Sequence, residues 1–123
     1  MHHLPHGLTL LVTASVISSG WGALAQYTRV RADLAVLRPK NVTPTQAAGI
    51  PLAALTAAEA LGKHAHLAAG QSVFVNGGST AVGSFAIQLA KAKGAKVAAS
   101  ASGKNEQYVR DLGADEVRVS ALI

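Results

Sequence analysis

At 123 residues the chain has the length of one modest domain. Half its residues are hydrophobic and 14% are charged, which excludes a disordered polyelectrolyte, and the absence of cysteine excludes disulfides and Cys-ligated zinc. The formal charge of +5 is scattered as single Lys and Arg residues and only 4% of residues are aromatic. That pattern argues against a nucleic-acid partner and suits a small anionic one.

His2, His3 and His6 open the chain without the partners a metal site needs. Leu8 to Ile17 is apolar but about half the roughly 20 residues a membrane span requires. It has the length of a signal-peptide core, and Ala23-Leu24-Ala25 imitates a cleavage site, yet no Lys or Arg precedes it. A cytoplasmic protein is expected, with mitochondrial or secreted placements left open and no membrane partner. Ala23 to Arg31 alternates and carries Tyr, Thr and Val, the pattern of a β-strand, and Asp33 to Leu37 reads as a second extended piece ended by Pro39.

Thr43 followed by Pro44 reads as a helix N-cap with proline in the first helical position, and Thr43 with Gln46 fits a capping box. Gly49 and Pro51 interrupt that helix, and a second one is expected from Pro51 to Leu61, stopping at Gly62. His64 and His66 flank its end as solvent-facing residues. Ser72 to Asn76 is a short apolar strand. The turn Gly78-Ser-Thr-Ala-Val-Gly83 follows and opens an amphipathic helix from Ala81 to Lys93. Strand, glycine turn and helix in that order present unpaired backbone amides and the positive end of a helix dipole to an anion. The second glycine of the G-x-G-x-x-G fingerprint is replaced by Thr80, and no Lys-Ser/Thr pair follows Gly83, which speaks against a P-loop. Val82, Phe85, Ala86, Leu89 and Ala90 are expected to form the helix's buried face. Lys96 to Ser100 is a second strand, Asn105 to Leu112 a helix ended by Gly113, and Asp115 to Val119 a third strand. The alternation implies a parallel sheet with right-handed crossovers.

Several separate motifs, in order, resemble the medium-chain dehydrogenase/reductase family. They are Gly22-Ala-Leu-Ala-Gln-Tyr27, the segment Asn41 to Leu61, Gly70-Gln-Ser-Val-Phe-Val-Asn-Gly77 and Leu112-Gly-Ala-Asp115. Asn76 to Gly83 and Ala99-Ser-Ala-Ser-Gly-Lys-Asn105 are similar to the zinc-independent quinone oxidoreductase and enoyl reductase branch, in its fungal members. The resemblance covers roughly residues 20 to 118. It implies an α/β fold: a partial Rossmann domain, a three-stranded parallel half-sheet with helices, preceded by a small β remnant of a GroES-like domain. The expected organisation is an unassigned segment at 1–19, the remnant at 20–42, and an incomplete nucleotide-binding domain at 43–123. A complete family member is longer, so a truncated chain is expected.

The resemblance further implies hydride transfer from a nicotinamide cofactor to a quinone or an activated C=C bond. The alternative is a truncated, non-catalytic remnant that at most binds a dinucleotide. The end of the second strand lacks the carboxylate that marks NAD sites and offers Ser100, Ser102 and Lys104 to a 2′-phosphate, which favours NADPH. Backbone at Ser79, Thr80, Ala81, Val82 and Gly83 is expected to face the pyrophosphate. Thr56 matches a threonine lining the nicotinamide side in the family. Asn76 reads first as a turn residue. No catalytic acid, base or nucleophile is assigned, since Tyr27, Glu59 and Tyr108 are each explained by surface or packing. The expected partner is a small quinone or enone, with a homo-oligomer or aggregate forming through an exposed sheet edge.

Overall fold

In a computed structural model the described residues are 10–11, 26, 30 and 32–119. The histidine cluster, the A-x-A site and nearly all of the strand expected at 23–31 lie outside them. The chain divides into two units, residues 1–52 and 53–123, with the division falling inside a helix, downstream of residue 43.

In the first unit, β1 (Leu10–Leu11) pairs antiparallel with β2 (Val36–Leu37), Leu10 opposite Leu37. The piece expected to be extended from Asp33 begins instead as a 3-10 turn over Ala32–Leu34, closed by a bond from the Ala35 N–H to the Ala32 carbonyl. Helix α1 (Pro44–Ala48) starts with the full capping box: the Thr43 side chain accepts from the Gln46 N–H while Gln46 Oε1 accepts from the Thr43 N–H. Two of the orphan donors at a helix start are thereby satisfied.

Helix α2 (Ile50–Ala58) does not stop at Gly62. It runs on as a wider π-type turn over Glu59–His64, in which the Ala65 N–H reaches the Ala60 carbonyl. His66 then adopts φ 47° and the Leu67 N–H closes on the Leu61 carbonyl at 2.8 Å. The glycine's unfavourable helix propensity, about 1 kcal/mol, is offset by this end of the helix burying both Leu61 and Leu67 in the second unit's core.

The second unit carries a three-stranded parallel sheet in the order β3 (Ser72–Val75), β4 (Lys96–Ala101), β5 (Glu116–Val119). Helix α3 (Ala81–Ala92) contacts β3 and β4, and helix α4 (Glu106–Asp111) contacts β4 and β5. Alternation along β4 is clean: Val97, Ala99 and Ala101 are buried while Lys96, Ala98 and Ser100 are not. Ile87, Val97 and Val109 are the largest fully buried side chains. Each contributes about 1.5–3 kcal/mol of burial, and the alanines around them let helices and sheet approach closely.

The buried face of α3 differs from the expected one. It is Gly83, Ala86, Ile87 and Ala90; Phe85 and Leu89 flank it half-buried and Val82 is exposed. Both sets obey the i, i+3, i+4 spacing. Gly83 selects between them, because its lack of a side chain lets that side of the helix press against the preceding turn.

Candidate dinucleotide site

The carboxyl ends of β3 and β4 lie side by side, Val75 opposite Ala99, so the turn after β3 and the loop after β4 share one edge of the sheet. In open α/β sheets this is the edge at which ligands bind.

The turn is built from within. Gly77 takes φ +75°, a conformation open to glycine, and bends the chain off the strand. Gly78 is buried, and a Cβ on it would lie 3.0–3.1 Å from atoms of Ala99, Ile87 and Val109. Thr80 caps α3: its Oγ1 accepts from the Gly83 N–H at 3.1 Å and donates to the Gly77 carbonyl at 2.8 Å. The hydroxyl thus serves the turn where the common fingerprint has a second glycine. Gly83 lies against the same turn so closely that a Cβ there would be 2.2 Å from the Gly77 carbonyl oxygen.

With these bonds made, the N–H groups of Ser79, Ala81 and Val82 have no acceptor among the described residues. Ala81 and Val82 are exposed and Ser79 is half-buried. Three amides at the start of a 12-residue helix, with its dipole behind them, suit the oxygens of a phosphate. Ser79 Oγ accepts from Asn105 Nδ2 at 3.2 Å, and its own proton has no acceptor among the described residues. That bond joins the glycine turn to the β4–α4 loop.

Ser100 does not have the role expected of it. Its hydroxyl donates its one proton to Asn76 Oδ1 at 2.7 Å and accepts from the Gly77 N–H at 2.9 Å. A hydroxyl has a single donor, so none remains for a 2′-phosphate. Asn76 stands at the strand-end turn, as read from the sequence. Ser102 precedes a 3-10 turn over Gly103–Asn105 and makes no side-chain cap bond, and Lys104 is exposed with no ion pair among the described residues. Both remain available to an anion. Thr56 is exposed on α2. Glu59 pairs with Lys63 at 3.9 Å on the surface and Tyr108 is exposed, while Tyr27 lies outside the described residues.

Two long-range contacts escaped the sequence reading. Asn105 was legible only as a helix start; its contact with Ser79 spans 26 residues. Asp115 was visible in Leu112-Gly-Ala-Asp115, but its partners were not. Its carboxylate accepts from Lys91 Nζ at 2.7 and 3.0 Å and from the Val97 N–H at 2.7 Å. The Lys91 bond, then the Val97 amide, hold its pKa below the ordinary aspartate value. The pair ties the end of α3 to the start of β5. It lies at the amino ends of the strands, beside a shallow cleft of about 160 Å³ lined by Ser72, Lys96, Asp115 and Glu116, away from the glycine turn. Among the described residues no group of His, Asp or Glu could hold a metal ion, and no helix is long and apolar enough to cross a membrane.

No protein-family model matches the chain. It is 50% identical over 97 residues to an NADPH-dependent alkenal/one oxidoreductase of Arabidopsis thaliana, a chloroplastic protein; the match covers 77% of this chain and 25% of that one. It is 37% identical over 111 residues to a chloroplastic quinone-oxidoreductase homologue of Spinacia oleracea, covering 86% of this chain and 34% of the relative. Among solved structures, a mycobacterial protein complexed with NADPH superposes with a TM-score of 0.73 at 28% identity, over 80% of this chain and 30% of that one. The chain therefore spans about a quarter to a third of the length of the relatives it matches.

Proposed function

The chain belongs to the medium-chain dehydrogenase/reductase superfamily, in its quinone oxidoreductase and enoyl reductase branch, and on that premise we propose that its glycine turn binds NADPH for the reduction of a quinone or an activated C=C bond. The observation that carries the proposal is the set of three unpaired amides, at Ser79, Ala81 and Val82, on the edge of the sheet where the β3 turn and the β4 loop meet.

The residues fit the cofactor. The amides at the start of α3 receive the pyrophosphate, and the Ser79 hydroxyl has a proton to add to them. Gly83 keeps the helix start close to the turn, so that backbone rather than a side chain meets the phosphates. Ser102 and Lys104, at the end of β4, take the 2′-phosphate by charge-assisted bonds, and the stretch from Ala98 to Asn105 contains no carboxylate to repel it. On the family resemblance Thr56, exposed on α2, would line the nicotinamide side. NADPH, when bound, supplies a hydride; the chain contributes binding and orientation. The cysteine-free sequence accords with a zinc-independent reaction. The substrate is a small quinone or enone, and the compartment is the cytoplasm unless a targeting segment directs the protein to an organelle, as in the relatives named chloroplastic.

Because the chain spans only a quarter to a third of those relatives, dinucleotide binding without turnover is a second reading. Isothermal titration with NADPH and NADH, followed by NADPH oxidation with enones and quinones, tests both. Tighter binding of NADPH supports the cofactor assignment, and equal or tighter NADH binding overturns it. Turnover decides between the two readings.

A further inference from the structure

Three bonds run from one residue of β4 to the segment that begins the glycine turn. The Ser100 hydroxyl donates to Asn76 Oδ1 and accepts from the Gly77 N–H, and the Ser100 carbonyl accepts from the Gly78 N–H at 2.7 Å. The first two belong to the side chain and meet on one oxygen. We infer that Ser100 is a positioning residue: its hydroxyl latches Asn76 and Gly77 in the arrangement that leaves the amides of Ser79, Ala81 and Val82 facing an anion. The inference rests on the proposed cofactor reading, but the latch has a second, independent consequence.

Asn76-Gly77 is the sequence most prone to deamidation, because glycine leaves the following amide unhindered. In that reaction the Gly77 nitrogen loses its proton and attacks Asn76 Cγ. The bond from Cγ to the side-chain nitrogen breaks, ammonia leaves, and water opens the resulting succinimide to aspartate or isoaspartate. The Ser100 oxygen opposes these events by geometry: it holds the Gly77 proton in a hydrogen bond, and it ties down the Asn76 side chain by its oxygen, an orienting effect that outweighs the polarisation of Cγ by the donated proton. Asn76 is exposed, so burial offers no protection in its place. A deamidated residue 76 adds a negative charge beside the turn and weakens the binding of any phosphate there. The residue that shapes the site thus also preserves its charge.

The test uses the full chain with Ser100→Ala and Ser100→Thr, the second retaining the hydroxyl. Two quantities are followed: the NADPH dissociation constant, and the rate of Asn76 deamidation by peptide mass spectrometry at mildly alkaline pH. Ser100→Ala is expected to weaken NADPH binding about tenfold, the scale of one to two net hydrogen bonds, and to deamidate several times faster than wild type. Ser100→Thr is expected to restore both. Unchanged NADPH affinity in Ser100→Ala, or an unchanged deamidation rate, overturns the inference. A general loss of packing does not produce a change that is confined to Asn76 and rescued by a hydroxyl. If the wild type binds neither dinucleotide, the cofactor reading fails alone and the deamidation rates still decide the latch. If Ser100→Ala does not fold, hydrogen exchange at the wild-type Gly77 amide decides: slow exchange supports the latch, and exchange at the rate of an unstructured loop overturns it.

Discussion

Gly83→Ala is a single-methyl perturbation whose sign depends on the turn geometry. In an exposed helix interior this change stabilises by roughly 0.5–1 kcal/mol. At Gly83 the new Cβ would lie 2.2 Å from the Gly77 carbonyl oxygen and 3.0 Å from both Gly77 C and Gly78 Cα. All three are backbone atoms, so no side chain can swing aside. An ordinary carbon–oxygen contact is about 3.3 Å or longer, and the helix start must withdraw from the turn by about 1 Å. Overpacking of this kind costs about 1–3 kcal/mol, at the upper end where backbone must move. Less the propensity gain, a net loss of about 2 kcal/mol is expected, or about 8–16 °C in melting temperature for a unit of this size. Withdrawal also misplaces the amides of Ala81 and Val82, so NADPH affinity should fall with stability. Gly62→Ala is the control: a Cβ there meets nothing within 4 Å, and the substitution should stabilise by about 0.5–1 kcal/mol. Urea and thermal unfolding followed by circular dichroism measure both. If Gly83→Ala melts at or above the wild-type temperature and binds NADPH normally, the close approach does not exist and the site as described is wrong.

Lys104→Ala should lose about 1 kcal/mol or more of NADPH affinity, the scale of a charge-assisted hydrogen bond, and leave NADH affinity unchanged; an equal loss for both dinucleotides in parallel titrations would remove Lys104 from the 2′-phosphate site. Asp115 has a folded-state pKa below its ordinary value, so its contribution to stability is present above the ordinary carboxylate range and fades as pH falls through the depressed value. The urea midpoint of wild type should accordingly drop on acidification through that window, and Asp115→Asn should show a shallower drop; parallel curves would contradict the assigned role. The β3 strand pairs with β4 alone among the described residues, and its Phe74 is 53% exposed. Self-association in light scattering is therefore expected, reduced by Phe74→Ser; a monomeric wild type would count against an exposed edge.

The local elements were legible because local physics fixes them. Thr43, Pro44 and Gln46 form the capping box that their types and spacing announce. Strands β3 to β5 and helices α3 and α4 fall within a residue or two of where alternation, helical periodicity and the closing glycines put them, whereas Gly62 did not close α2. The glycine turn between strand and helix, with unpaired amides at the helix start, was likewise readable, whereas the capping role of Thr80 was not. Tertiary structure alone decided which of two equally periodic faces of α3 is buried. Ile87 takes the centre because Gly83 presses on Gly77, a contact that no pattern within the helix encodes. It also decided that Ser100 braces the turn instead of facing a phosphate, that Asn105 reaches Ser79, and that Asp115 holds Lys91. Each of these bonds joins residues 23 to 26 positions apart. Periodicity and capping act over one or two turns of chain, whereas the partner of a side-chain oxygen is set by the parallel register that brings Val75 beside Ala99. The sequence by itself thus determined most of the elements and the glycine turn, and the packed sheet determined which polar groups of that turn are left unpaired.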